Sequence, residues 1–275
     1  MPPLPFSSTP GLARPLAVWA LAAILAWSAP GLCAPAEAPQ GNAGSGLSPS
    51  AGRSPGLPQA PASPQGLAGS GLSKVEMRWL RGAWPVITAA RQSGMALDLV
   101  VQPQPTPGAA PLALAFVGGR CKMVLSMRGN PAAEATLAGI APELLDVSLE
   151  LMAAHELGHC RRYLDGAWHG LPAGFAAAPV AGLPPALRAE VEEMAAERRE
   201  EGYGDLVGLA WTRQQHPDIY PELQAWLLAE RLRDRVAGSP HDTRAWVELA
   251  GTGNALATGS IFGAAAAVWS AGLGR

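Results

Sequence analysis

Among the five histidines of this 275-residue chain, two stand four positions apart around a glutamate, in His155-Glu156-Leu157-Gly158-His159. On a helix, residues i and i+4 share a face, so both imidazoles can reach one ion from adjacent turns. Two neutral imidazoles plus a carboxylate suit a zinc ion that keeps one coordination position open for water. Glu156, one residue along from His155, points beside such an ion. It is placed to take a proton from an attacking water and pass it to a leaving group.

The third ligand has several candidates. Asp165 follows His159 at a spacing that can serve some zinc sites, but Arg162 stands where a glycine would be needed to turn the chain, so Asp165 reads as a solvated residue at the helix end. Glu201-Gly202-Tyr203-Gly204-Asp205 puts two carboxylates on one helical face. Glu201 can complete the zinc site, and Asp205 can accept the Nδ1–H of His155 and fix its tautomer. Gly202 and Gly204 are poor helix formers and make sense where helices approach closely. Glu197 is the competitor for Glu201. Glu190, Glu193 and Glu200 read as a solvated face paired with Arg198 and Arg199.

HELGH followed by EGYGD resembles the gluzincin metallopeptidases of the CAAX prenyl-protease and HtpX type, whose pattern is HExxH…ExxxD. The resemblance implies a zinc-dependent endopeptidase with His155, His159 and Glu201 as ligands, Glu156 as general base and acid, and Asp205 behind His155. It also implies a β-hairpin before the zinc helix, similar in place to 112–127, whose edge strand holds an extended substrate. His241, in Ser239-Pro240-His241-Asp242-Thr243-Arg244, resembles a His…Arg element of related sequences and is the candidate catalytic helper, with a plain surface role as the alternative. The chain departs from the family in having Gly204 where alanine is usual. Two rival readings remain: a non-catalytic, zinc-stabilised peptide-binding module, and a zinc hydrolase of a non-peptide bond. An intact Glu156 speaks against the first.

The elements that must position these residues follow from periodicity. Residues 74–92 have apolar residues at helical spacing, with Pro85 expected to kink or split the helix. Three β-like runs follow at 97–101, 112–117 and 121–127, the last two flanking the turn Gly118-Gly119-Arg120. A loop at 128–131 precedes an amphipathic zinc helix expected from Pro142 to Gly166. A second long helix is expected over 186–215, a third over 222–236 and a fourth from about His241. A small antiparallel sheet or hairpin followed by a mainly helical zincin-like core is an α+β order.

Composition sets the outer limits. A net charge of −2 excludes a polybasic nucleic-acid binder; a protein or peptide substrate is the partner that the peptidase resemblance implies. Residues 16–27 form an uncharged apolar run with the length of a signal-peptide core, and Ala34 and Ala36 offer a cleavage site. Cys33 lacks the lipobox spacing. Residues 37–72, rich in Ala, Pro, Gly and Ser, read as a disordered linker. The expected organisation is therefore signal peptide 1–36, linker 37–72 and metallopeptidase domain 73–275, exported, in a bacterial periplasm, with an extracellular location or an uncleaved membrane anchor as the alternatives. In an oxidising compartment Cys121, at the start of the expected edge strand, and Cys160 can pair, tying strand to helix; a free buried thiol is the alternative. Residues 249–274 carry no charge but are mostly small, so they read as a packed C-terminal helix, with peripheral membrane association as the alternative. Tyr203 and Tyr220 read as core residues.

Overall fold

A computed structural model describes residues 71–177, 180–233 and 236–274. The expected signal peptide and all but the last two residues of the expected linker lie outside the described residues. The element order is α1 (Lys74–Gln92), β1 (Leu97–Pro103), β2 (Leu112–Val117), β3 (Arg120–Arg128), α2 (Pro131–Gly139), α3 (Leu145–Leu164), α4 (Pro185–Gln215), α5 (Tyr220–Arg233), α6 (Arg244–Ala250), a 3₁₀ turn (Asn254–Leu256) and α7 (Ile261–Gly272). This is the expected α+β arrangement.

The sheet has the order β1-β3-β2. β2 and β3 form the expected antiparallel hairpin, closed by Gly118 and Gly119, both at positive φ (60° and 74°), the conformation that matches hairpin twist. β1 joins parallel to β3, so the sheet is mixed. This corrects one expectation: Cys121 begins the central strand, and β2 is the edge strand that lies against α3.

Pro85 does not split α1. The helix is continuous, because Pro85 and Arg81, whose carbonyl loses its partner, both face solvent. Between the expected loop at 128–131 and the expected start of the next helix, a stretch to which the sequence assigned no element forms a further helix, α2, started by the Asn130 side chain accepting from Ala132 N–H and by Pro131 in the first turn. The zinc-motif helix begins at Leu145 rather than Pro142, with no side-chain cap. It is also not amphipathic in its middle: Leu149, Glu150 and Leu151, then every residue from Ala153 to Cys160, are buried. A helix buried on all sides sits between two cores. One core joins α1, the sheet and α3 through Leu80, Ile87, Met123, Leu149 and Leu157; the other joins α4 to α7 through Leu206, Leu223, Val247 and Trp269, with Leu151 of α3 reaching into it. α7 packs there as expected, and no helix among the described residues is long and apolar enough to cross a membrane.

Two covalent or charged ties fix the first core. Cys121 and Cys160 form a disulfide with Cα atoms 5.7 Å apart, joining the central strand to the zinc-motif helix. At the start of α1, Glu76 accepts from the Ser73 N–H (2.6 Å) while Ser73 Oγ accepts from Glu76 N–H (3.1 Å); Arg128 also donates to Glu76 at 3.0 Å.

Two measurements check these ties. The disulfide closes a 39-residue separation, so Cys121→Ala/Cys160→Ala is expected to lose about 4 kcal/mol in urea denaturation. Burial raises the Glu76 carboxyl, but the Ser73 N–H, Arg128 and the Ser73 hydroxyl together bring it below its ordinary 4.5. A depressed carboxyl stabilises above its ordinary value and loses that contribution as pH falls through the folded value. The stability margin of the native chain over Glu76→Gln, about 1 kcal/mol at neutral pH, is therefore expected to close below pH 4.5 in chemical denaturation.

Candidate metal centre

α3 and α4 meet through residues without side chains. A Cβ on Gly158 would lie 3.0 Å from the Cα of Gly204, and one on Gly208 would lie 2.8 Å from the Leu151 carbonyl. A Cβ on Gly204 would sit 2.8 Å from the His155 ring, which gives a physical reason for glycine at this position. Gly202 serves a different contact, against Trp246 of α6.

This approach brings His155, His159 and Glu201 together, their ligand atoms all within 4.8 Å of one another. The two Nε2 atoms are 2.9 Å apart, and Glu201 places Oε2 3.3 Å from His155 Nε2 and Oε1 3.4 Å from His159 Nε2. Ligands about 2.0 Å from a tetrahedral ion are separated by roughly 3.3 Å, so the spacing fits a first-row metal. The chemistry of the donors fits as well. His155 Nδ1 faces Asp205 Oδ1 at 3.0 Å, which leaves the Nε2 lone pair directed at His159 and Glu201. A His/His/Glu group of this kind could bind a metal ion.

Electrostatics ask for positive charge at the same place. Burial alone would lower the His155 pKa, but Glu201 and Asp205 raise it to about 10. Glu201 is held well below its ordinary range, against burial, chiefly by His155. Asp205 is fully buried; burial pushes its carboxyl up, and Arg231 and His155 bring it far down. Arg231 Nε donates to Asp205 Oδ2 at 2.8 Å, a second Arg231 nitrogen bonds Oδ1, and Thr243 Oγ1 donates to Oδ2 at 2.5 Å.

Glu156 is 6% exposed, and its Oε2 has no hydrogen-bond partner. Burial raises its pKa, opposed by His159, His155 and the Leu114 N–H of β2. His241 does not start a helix; it lies in the loop before α6, with Nδ1 3.5 Å from Glu201 Oε2 and neither ring nitrogen hydrogen-bonded. Glu156, His241 and the ligand edges line one pocket.

Of the competing acids, Glu197 lies outside the cluster, and Asp165 caps α3 and pairs with Arg161. Glu200 corrects an expectation. It is 1% exposed rather than solvated, and it binds Arg162 of α3 (2.9 Å at both oxygens) and the His169 N–H (2.7 Å). Arg162 also donates to the Gly170 carbonyl. This clamp sets Trp168 edge-on to His159, ring centroids 5.5 Å apart, in a stack that continues through Tyr163 to Phe116 of β2. His159 Nδ1 has no hydrogen-bond partner, so packing rather than a hydrogen bond holds this ring. His216 ends α4 and faces Glu150 at 2.9 Å, away from the cluster. Tyr203 and Tyr220 are core residues as expected.

Sequence reasoning missed Arg231. Leu223 and Leu227 place it on the buried stripe of α5 at i+4, and a charge at an apolar stripe position signals a buried partner. Comparison of the chain with models of protein families, with curated proteins and with solved structures finds no match.

Gly204→Ala is expected to raise helix propensity yet displace the His155 ring. The expected result is a tenfold to hundredfold loss of metal affinity, on the order seen when outer-shell support of a ligand is disturbed, read by competition with a chromophoric chelator.

Proposed function

We propose that the chain is an exported zinc metalloendopeptidase of the gluzincin type. The observation that supports this reading above the others is the conjunction of the His155–His159–Glu201 cluster with a buried, unpartnered Glu156 oxygen beside it. A cluster that only stabilised a fold would have no use for that carboxylate, whose burial is costly. The resemblance to the HExxH…ExxxD peptidases supports the same assignment.

Zinc held by His155, His159 and Glu201 would supply Lewis-acid polarisation of a carbonyl and would acidify water. Glu156, with its pKa raised by burial, takes the proton of the attacking water and returns it to the leaving amine. Asp205 fixes the His155 ring, and Arg231 and Thr243 fix Asp205. His241, beside Glu201 with unpaired ring nitrogens, is placed to donate to the negative charge that develops on the carbonyl oxygen. The free edge of β2, whose Leu114 N–H faces Glu156, offers backbone pairing to an extended polypeptide. The disulfide is compatible with export to an oxidising compartment such as a periplasm.

The test is metal content by mass spectrometry together with casein cleavage. Wild type and Glu197→Ala are expected to hold about one zinc per chain and Glu201→Ala far less. Glu156→Gln is expected to keep its zinc and to cleave casein at least about a hundredfold more slowly. A folded wild-type chain that takes up no zinc after reloading would sink the reading.

A further inference from the structure

A second pocket, sharing no residue with the one beside the cluster, opens where α4, α6 and the end of α7 meet. Ala195, Arg198 and Arg199 share one face of α4 and form one wall. Asp242 and Arg244, on either side of Thr243, stand in the other, with Trp246 and Leu273 completing it. The space measures about 360 Å³, more than twice the roughly 150 Å³ that takes a benzene ring.

Its shape is fixed. The Trp246 indole is 6% exposed, and its N–H donates to the Trp269 carbonyl at 3.0 Å. It packs where a side chain on Gly202 or Gly272 would stand. The Trp269 N–H in turn donates to the Arg199 carbonyl at 2.7 Å, which holds the turn of α4 that carries the arginines. Arg198 lies against the loop before α6: a Cβ on Gly238 would be 3.4 Å from its Nη1.

Its charges are unbalanced. Three guanidinium groups line the pocket with one carboxylate, and Asp242 Oδ2 accepts from the Gly238 N–H at 3.1 Å. Neither Arg198 nor Arg199 has a side-chain hydrogen bond or an ion pair among the described residues. Arg244 has an exposed contact with Glu248 at 3.6 Å, one turn along α6, of a kind that contributes little. Burial lowers the Arg199 guanidinium from its ordinary value; Glu200 opposes the shift, and Arg198 and Arg162 add to it. Partly buried like charges repel one another, and a bound anion relieves that repulsion.

Guanidinium forks donate paired hydrogen bonds to oxyanions. A carboxylate offers two oxygens and one charge. A phosphate monoester offers three oxygens and close to two charges at neutral pH, which matches three arginines set beside one acid. We propose that this pocket binds a phosphate monoester, its phosphoryl group held by Arg198, Arg199 and Arg244 and its organic part in the remaining space beside Trp246 and Leu273. Such a ligand bridges α4, just before Glu201, to the segment that carries His241 and Thr243. The assignment goes beyond the peptidase reading and does not rest on it. A soluble phosphate ester and the headgroup of phosphatidic acid present the same chemistry.

The test measures binding of glycerol 3-phosphate and of acetate to the full-length chain by titration calorimetry. Co-sedimentation with vesicles of phosphatidylcholine, with and without phosphatidic acid, runs alongside. Glycerol 3-phosphate is expected to bind at least about tenfold more tightly than acetate, and Arg198→Gln/Arg244→Gln is expected to weaken it about tenfold to a hundredfold. Arg198→Lys/Arg244→Lys, which keeps the charge and loses the forks, is expected to fall between, and it carries the test if the glutamine variant does not fold. Arg188→Gln, exposed near the start of α4, is expected to change nothing. Sedimentation that needs phosphatidic acid and is lost with the two arginines makes the lipid headgroup the source. Glycerol 3-phosphate binding without such sedimentation makes a soluble ester the source. Glycerol 3-phosphate bound no more tightly than acetate overturns the site, whatever the vesicles do. An affinity unchanged in both double variants, or reduced as much by Arg188→Gln, overturns it too.

Discussion

Asp205 is the point on which the rest of the molecule turns. A carboxylate with no exposure is tolerable only when its charge is fully met. Here it is met from three directions: His155 on α3, Arg231 on α5 and Thr243 just before α6. One buried oxygen pair thus sets the mutual placement of four segments distant in sequence. Removing Arg231 would leave that carboxylate without its cationic side-chain partner in the interior, a cost of several kcal/mol. The same bond that locks the fold also orients the His155 imidazole of a cluster that could bind a metal ion, so stability and site geometry are not separable here.

The second constraint is steric. The clustered side chains of α3 and α4 converge only if the backbones approach more closely than ordinary side chains allow. Gly158, Gly204 and Gly208 provide that approach and give up helix propensity to do so. The two ligand histidines are then supported in unlike ways. His155 has a charged hydrogen-bond partner, and His159 has an aromatic edge delivered by the Arg162–Glu200 clamp.

Much of this was legible from local pattern. The HELGH and EGYGD spacings brought His155, His159, Glu201 and Asp205 to one point, and the three strands and the long α4 lay close to their expected bounds. What escaped was information that local pattern does not hold. Strand order is a tertiary property, so β3, expected as an edge strand, turned out to be central. α2 is rich in alanine and has no apolar stripe, which hid it. Pro85 was read as a breaker because its exposure was not known. Glu200 and Arg231 resembled surface charges until their partners, 38 and 26 residues away, came into view.

The covalent bond between Cys121 and Cys160 makes a closed ring of the chain between them. That ring contains α2, the first four turns of α3, and His155, Glu156 and His159. A proteolytic nick in the turn at 141–144 would therefore release no fragment. The two pieces would run as one band without reductant and as two with it, and the nicked molecule would keep its metal-binding helix tethered to the central strand. A single cut on this stretch is therefore not the same event as loss of the molecule.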